Sequence, residues 1–88
     1  MPERTATVAS SVGLHARPAS LFSQAAAKTG VTVTLSAKGK SVNAASILGV
    51  LSLGIGHGEE VVLAADGDGA DEALDTLAEL LGTDLDQQ

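Results

Sequence analysis

His15 and Arg17 carry the reactive potential of this sequence, in the segment Gly13-Leu14-His15-Ala16-Arg17-Pro18 where a helical pattern begins. A helix start leaves its first backbone N–H groups without intrahelical partners and carries partial positive charge. It is therefore a natural seat for an anion. The same field disfavours imidazolium, which predicts a mostly neutral His15 ring able to act as a nucleophile at neutral pH. Were that ring to take up a phosphoryl group, the N–H groups of Ala16 and Arg17 would be placed to bind its oxygens. Pro18 has no N–H to offer but fixes the turn. The Arg17 guanidinium adds a charge-assisted contact, strongest while the oxygens are shared between donor and acceptor. On the residues alone, His15 as a plain polar helix cap stays open as an alternative.

Other apparent signals do not survive counting. Gly39-Lys40-Ser41 imitates the end of a phosphate-binding loop, but the glycine required five positions upstream is Thr34. Gly54, Gly56 and Gly58 suggest a dinucleotide fingerprint whose third glycine would fall at Glu59. Asp66 and Asp68 could open a calcium loop, yet its fifth, sixth and twelfth positions are Ala70, Asp71 and Leu77. That acidic cluster reads as a solvated helix start, favourable to the helix dipole. His57 stands in a glycine-rich loop with no acid at ligand spacing and reads as a surface histidine. Two histidines and no cysteine exclude disulfides, Cys-ligated zinc and thiol catalysis. No metal site and no cofactor is expected.

Seven elements must position His15 and Arg17. Residues 3–9 alternate, with Ala6 and Val8 on one side, as in a modest strand. Val31, Val33 and Leu35 alternate with Thr32, Thr34 and Ser36, the clearest strand pattern in the chain. Lys38-Gly39 then turns into a partner strand over Lys40 to Asn43, and Glu60 to Asp66 is a fourth strand. From Ala16 to Lys28, the residues Ala19, Phe22 and Ala26 form a helical stripe, stopped at Gly30. From Ala70 to Leu81, the residues Ala70, Ala73, Leu74, Leu77, Leu80 and Leu81 form a wide apolar face, ended by Gly82. A short helix runs from about Ile47 to Leu53, with Ser46 placed as its N-cap. The order βαββαβα predicts an α+β fold, a four-stranded antiparallel sheet with three helices on one side and the other side wet.

The 88 residues suit a single domain over 1–88, with 83–88 expected to fray. Apolar residues make up 44%, many of them alanine, and Phe22 is the only aromatic, so the core must be thin and closely layered. The net charge of −6 is unevenly spread: residues 1–58 hold all five bases and one acid, and residues 59–88 hold ten acids. An acidic chain without Trp or Tyr is a poor nucleic-acid binder. The weakly polar stretch from Ala44 to Gly56 is broken by serines and glycines and cannot span a bilayer. The start Met1-Pro2-Glu3-Arg4-Thr5 carries no apolar signal region. A soluble, cytoplasmic monomer is expected.

The short helix adds an independent signal. Apolar residues surround it almost completely, yet two turns in so small a domain cannot bury every face. If Val50 and Leu53 point inward, Leu48 and Leu51 stay exposed, with Ile47 at the margin. Exposed apolar surface near an anion-binding helix end reads as a docking surface.

At these two segments the chain resembles the histidine-containing phosphocarrier (HPr) family of the bacterial phosphoenolpyruvate-dependent sugar phosphotransferase system. Gly13-Leu14-His15-Ala16-Arg17-Pro18 matches the family's active-site signature. The second signature follows at the expected distance as Lys40-Ser41-Val42-Asn43 and Ser46-Ile47-Leu48-Gly49-Val50-Leu51-Ser52-Leu53-Gly54-Ile55. The resemblance covers nearly the whole chain and implies the family's open-faced β-sandwich. It implies that phosphorylated enzyme I phosphorylates His15 on Nδ1, and that His15 passes the group to a histidine of a sugar-specific enzyme IIA, with Arg17 assisting both transfers. Ala16, Ser20, Ile47, Leu48, Leu51 and Gly54 would dock both partners in turn. Ser46 matches the serine that an ATP-dependent kinase modifies in low-GC Gram-positive members, a link to transcriptional carbon control. Val12 departs from the pattern: the family commonly has a small polar residue there, able to reach the phosphorylated ring, which bears on phosphohistidine lifetime.

Two other classes compete. A regulatory paralogue, serving nitrogen control or binding a regulator, would share the fold; His15 together with Arg17 favours real transfer. An acyl carrier would be all-helical with Asp-Ser-Leu at its helix start, where this strand-rich chain has Ala45-Ser46-Ile47. An independent enzyme is disfavoured because no second acid or base stands near His15 in the sequence.

Overall fold

A computed structural model describes residues 2–9 and 16–83. Its elements are β1 (Glu3–Thr7), α1 (Ala16–Lys28), β2 (Val33–Ala37), β3 (Lys40–Asn43), α2 (Ile47–Ser52), β4 (Glu60–Ala65) and α3 (Ala70–Leu81). The strands form one sheet in the order β1-β4-β2-β3, and every neighbouring pair is antiparallel. This is the α+β architecture expected from the element order.

Side-chain alternation decides which face of the sheet the helices cover. In β2, Val33, Leu35 and Ala37 are buried while Thr34 and Ser36 are half-exposed on the other side. Val61, Leu63 and Ala65 of β4 share the buried face. The register sets Thr5, Val62, Ser36 and Ser41 in one row on the open face, where the Ser36 and Ser41 hydroxyls lie 2.8 Å apart. Ala64 is also buried although it lies outside the core cluster. It sits between Glu3 and Thr34 in register, and a methyl group is short enough to be shaded by such neighbours.

Helices complete the core from the covered side. Phe22 of α1 and Leu74, Leu77 and Leu81 of α3 are fully buried with Leu35 and Leu63 of the sheet. Each such side chain contributes about 1.5–3 kcal/mol of burial. Leu80, read as part of the α3 apolar face, is only half-buried and packs at the margin of the core. Arg4 of β1 straps α3 from outside, donating from Nε to Asp75 at 2.8 Å and from Nη2 to Asp71 at 3.2 Å.

Strand boundaries differ from the sequence reading, and β4 ends at Ala65, one residue short of Asp66. The β1 ladder stops at Thr7 because the next amides turn elsewhere: Val8 N–H donates to Glu59 O and Ala9 N–H to Leu81 O, each at 3.0 Å. β2 starts at Val33 and not Val31 because the Thr29 hydroxyl competes for the backbone. It donates to Ala26 O at 2.7 Å and accepts from Val31 N–H at 3.2 Å. At the other end of the chain Thr83 is tied to α3, its hydroxyl donating to Glu79 O at 3.1 Å. The rest of the tail expected to fray, residues 84–88, lies outside the described residues.

Candidate functional site

α1 begins at Ala16, and its first turns are anchored rather than free. Pro18, Ala19 and Phe22 are buried, which fixes the direction of the helix start, while Arg17 is exposed beside them. His15 and Val12 lie outside the described residues. The pattern of the helix that follows therefore carries the structural argument for this end of the site.

The second part of the site is α2, and its start is tightly specified. Asn43 closes the approach: its Oδ1 accepts from Ala45 N–H at 2.8 Å and its carbonyl from Ser46 N–H at 3.0 Å. Ser46 is the N-cap, with extended backbone and Oγ accepting from Gly49 N–H at 3.2 Å. The exposed Ser46 hydroxyl is thus already employed in holding the helix. Val50 is fully buried and Leu53 nearly so, which turns the opposite face outward. Leu48 is 78% exposed, and Leu51 and Ile47 are each 37% exposed. The inward and outward sets are those read from the sequence, with Leu51 at the margin alongside Ile47.

α1 and α2 lie side by side across a shallow cleft lined by Ser20, Ser23, Gln24, Ala27, Ala45 and Ile47. Ser20 is held on this face by Gln24, whose Nε2 donates to its Oγ at 3.0 Å. The structure therefore brings Ser20 and Ile47 together and places Leu48 and Leu51 on the outer side of the same helix pair. Gly54 follows α2 with φ of 60°, a left-handed backbone open to a residue without Cβ, and is exposed. His57 is exposed in the loop before β4, as its surroundings in the sequence suggest.

Three residues of this region add to those singled out from the sequence. Ser23 is buried on α1 and its hydroxyl has no hydrogen-bond partner among the described residues, a situation that costs about 1–3 kcal/mol. Helical spacing does signal it, since position 23 falls one turn beyond Ala19 on the buried stripe. Lys38 and Glu59 join the loop after α2 to the β2–β3 turn. Lys38 Nζ donates to Gly54 O at 2.8 Å and stands 3.2 Å from Glu59 Oε1. The same Oε1 accepts from Gly56 N–H at 2.9 Å. The Gly56 amide, and after it the Lys38 ammonium, hold the Glu59 carboxyl below its ordinary range against partial desolvation. No spacing rule signals this contact between residues of different elements.

Among the described residues no group of three or more His, Cys, Asp or Glu could hold a metal ion. No helix among them is long and apolar enough to cross a membrane. What the arrangement offers chemically is a helix start with an adjacent guanidinium and an exposed apolar surface beside it.

Comparison with known proteins agrees with that arrangement. The family model described as "PTS HPr component phosphorylation site" matches residues 2–83. The chain is 53% identical over 88 residues to the phosphocarrier protein HPr of Streptomyces coelicolor, covering 99% of this chain and 95% of that protein. The crystal structure of HPr-C-His from Thermoanaerobacter tengcongensis superposes with a TM-score of 0.91 at 40% identity, covering 100% of this chain and 99% of that one. The crystal structure of Crh, the Bacillus subtilis catabolite repression protein seen as a swapped dimer, superposes at 0.75 with 42% identity, covering 96% and 97%.

Proposed function

The chain belongs to the HPr family, the phosphocarriers of the phosphotransferase system, and from that membership we propose which residues carry the group and which proteins exchange it. His15 is the acceptor. Its Nδ1 lone pair attacks the phosphorus held by phosphorylated enzyme I. The bond between phosphorus and the donor breaks, and its electron pair returns to the donor. The backbone N–H groups of Ala16 and Arg17 bind the phosphoryl oxygens, and the Arg17 guanidinium neutralises charge while the group is shared. The group then leaves for a histidine of a sugar-specific enzyme IIA by the same displacement in reverse. The protein is a stoichiometric carrier, and its partners complete the catalytic machinery.

Both partners dock in turn on Ala16, Ser20, Ile47, Leu48, Leu51 and Gly54. The observation that supports this reading best is Leu48: it is 78% exposed on a helix whose Val50 is wholly buried. A leucine left in water on a well-anchored helix is surface available to another protein. The carrier works as a single-domain cytoplasmic monomer.

Ser46 is the regulatory candidate. A serine kinase that phosphorylates its hydroxyl would place charge at a helix start, which the fold tolerates. The same charge beside Ile47 and Leu48 would weaken apolar docking. A regulatory paralogue that binds a transcriptional regulator is the second reading, favoured by the likeness to Crh.

Mixing the protein with enzyme I and phosphoenolpyruvate should add the mass of one phosphate in an acid-labile form. His15→Ala should abolish the gain. Labelling of that variant to the wild-type level would remove His15 from the mechanism.

A further inference from the structure

Lys38 adopts a backbone conformation that lysine seldom takes. Its φ is 54° and that of Gly39 is 78°, the pair of positive values required by a tight hairpin turn. Asn, Asp or Gly ordinarily occupies the first of these positions, because a Cβ is poorly accommodated there. The side chain explains the exception. It crosses from the β2–β3 turn to the loop after α2, where Nζ donates to Gly54 O at 2.8 Å and pairs with Glu59 Oε1 at 3.2 Å. Glu59, just before β4, is itself tied to Gly56 N–H at 2.9 Å. One ammonium and one carboxylate thus join the β2–β3 turn, the loop after α2 and the start of β4.

Their point of convergence is the C-terminal end of α2. That helix has no basic residue in its last turn, although a helix C-terminus favours a cation. Lys38 supplies one from another element. Gly54 N–H donates to Leu51 O at 3.2 Å, and Leu53 N–H to Val50 O at 3.2 Å. A displacement of Gly54 is therefore passed directly to Leu51, half of the outward apolar face.

We infer that Lys38 and Glu59 are positioning residues for phosphoryl exchange, holding the end of α2 so that Leu48 and Leu51 meet a partner protein in a single arrangement. The inference rests on the docking face proposed above. Neither side chain has to touch the partner. Lys38 acts through Gly54, and Glu59 acts through Lys38 and Gly56, which also distinguishes the pair from an ordinary surface ion pair.

Kinetics with phosphorylated enzyme I as donor and this protein as acceptor test the pair. Lys38→Met and Glu59→Gln should each raise KM roughly twofold to fivefold, the range open to an exposed ion pair, with kcat unchanged. Lys38→Arg should restore KM to near the wild-type value. The double variant should be no worse than the worse single one, because both changes release the same clamp. Amide hydrogen exchange supplies a readout without any partner: exchange at Gly54 should accelerate in both single variants while Leu63 and Leu74 keep their protection. An unchanged KM in Lys38→Met, additive losses in the double variant, or unaltered exchange at Gly54 would each overturn the inference. A wild-type protein that accepts no phosphoryl group would instead overturn the carrier assignment, and the exchange experiment would still judge the clamp.

Discussion

Two residues of α2, two positions apart, should respond in opposite ways to the same kind of truncation. Leu48 is 78% exposed and Val50 is fully buried. Burying a leucine side chain is worth about 1.5–3 kcal/mol, and the fold uses only the minor part of that for Leu48. Roughly 1–2 kcal/mol is left for a partner to gain, which corresponds to about a fivefold to thirtyfold change in affinity. Leu48→Ala should therefore raise KM for phosphorylated enzyme I within that range. Its effect on stability should stay within ~0.5 kcal/mol, or a few degrees of Tm. Val50→Ala removes two buried methyl groups and should cost about 2 kcal/mol. That loss should lower Tm by about 10 °C while KM stays close to wild type. Thermal melts followed by circular dichroism and the transfer assay together separate the two effects. If Leu48→Ala melts as early as Val50→Ala, the outward face of α2 has been misassigned; if it melts normally with an unchanged KM, the face docks nothing.

Three other perturbations probe separate parts of the molecule. Ser46→Ala should cost about 1 kcal/mol through loss of the N-cap, read as a lower Tm, whereas Ser46→Asp keeps an acceptor for Gly49 N–H and should melt near wild type while raising KM. Arg17→Lys should slow phosphoryl transfer more than it weakens partner binding, because a point charge cannot reproduce the planar fork; equal losses would make Arg17 a docking residue only. Because the Glu59 carboxyl is held below its ordinary value of 4.5, the unfolded chain binds more protons than the native one as pH falls. The stability Glu59 contributes is complete above that value and is lost as pH drops through its lower folded value. Glu59→Gln should flatten this part of the acid limb in a pH series of melts and leave the neutral range parallel to wild type; an unchanged acid slope would refute the assignment.

The helices were the most legible part of this molecule. α1 and α3 begin and end where the apolar stripes of Phe22 and Leu74 predict, because one buried face and a following glycine are local properties of the chain. Strand ends were less legible, since they depend on partners far along the chain. Val8 alternates correctly for a strand, yet its amide and carbonyl bond to Glu59 and Gly58 outside the ladder. The strand order β1-β4-β2-β3 has no local signature either, because the pattern of β4 says that it is buried and not which strands flank it. Half of the site was readable for the same reason the helices were. Ser46 as cap and Leu48 as outward residue follow from spacing within α2, but Lys38 and Glu59 meet only through the tertiary fold.

That division follows from the length of α2. Six residues are far fewer than the roughly twelve to fifteen that an isolated helix needs to persist in water, so α2 exists only where its surroundings hold it. Val50 and Leu53 anchor it from below, and Ser46 closes its first turn. Its last turn is closed by Gly54, whose N–H donates to Leu51 O from a left-handed backbone, and there Lys38 reaches across from the hairpin to the Gly54 carbonyl. A helix carrying exposed Leu48 and Leu51 must resist being pulled inward by its own apolar surface. With both ends fixed, burying Leu48 would require breaking the Ser46 cap or releasing Lys38 from Gly54. The exposed face is thus maintained by buried Val50 and Leu53 together with polar contacts at the two ends of the helix, and the precision of docking should follow those end contacts more closely than overall stability does.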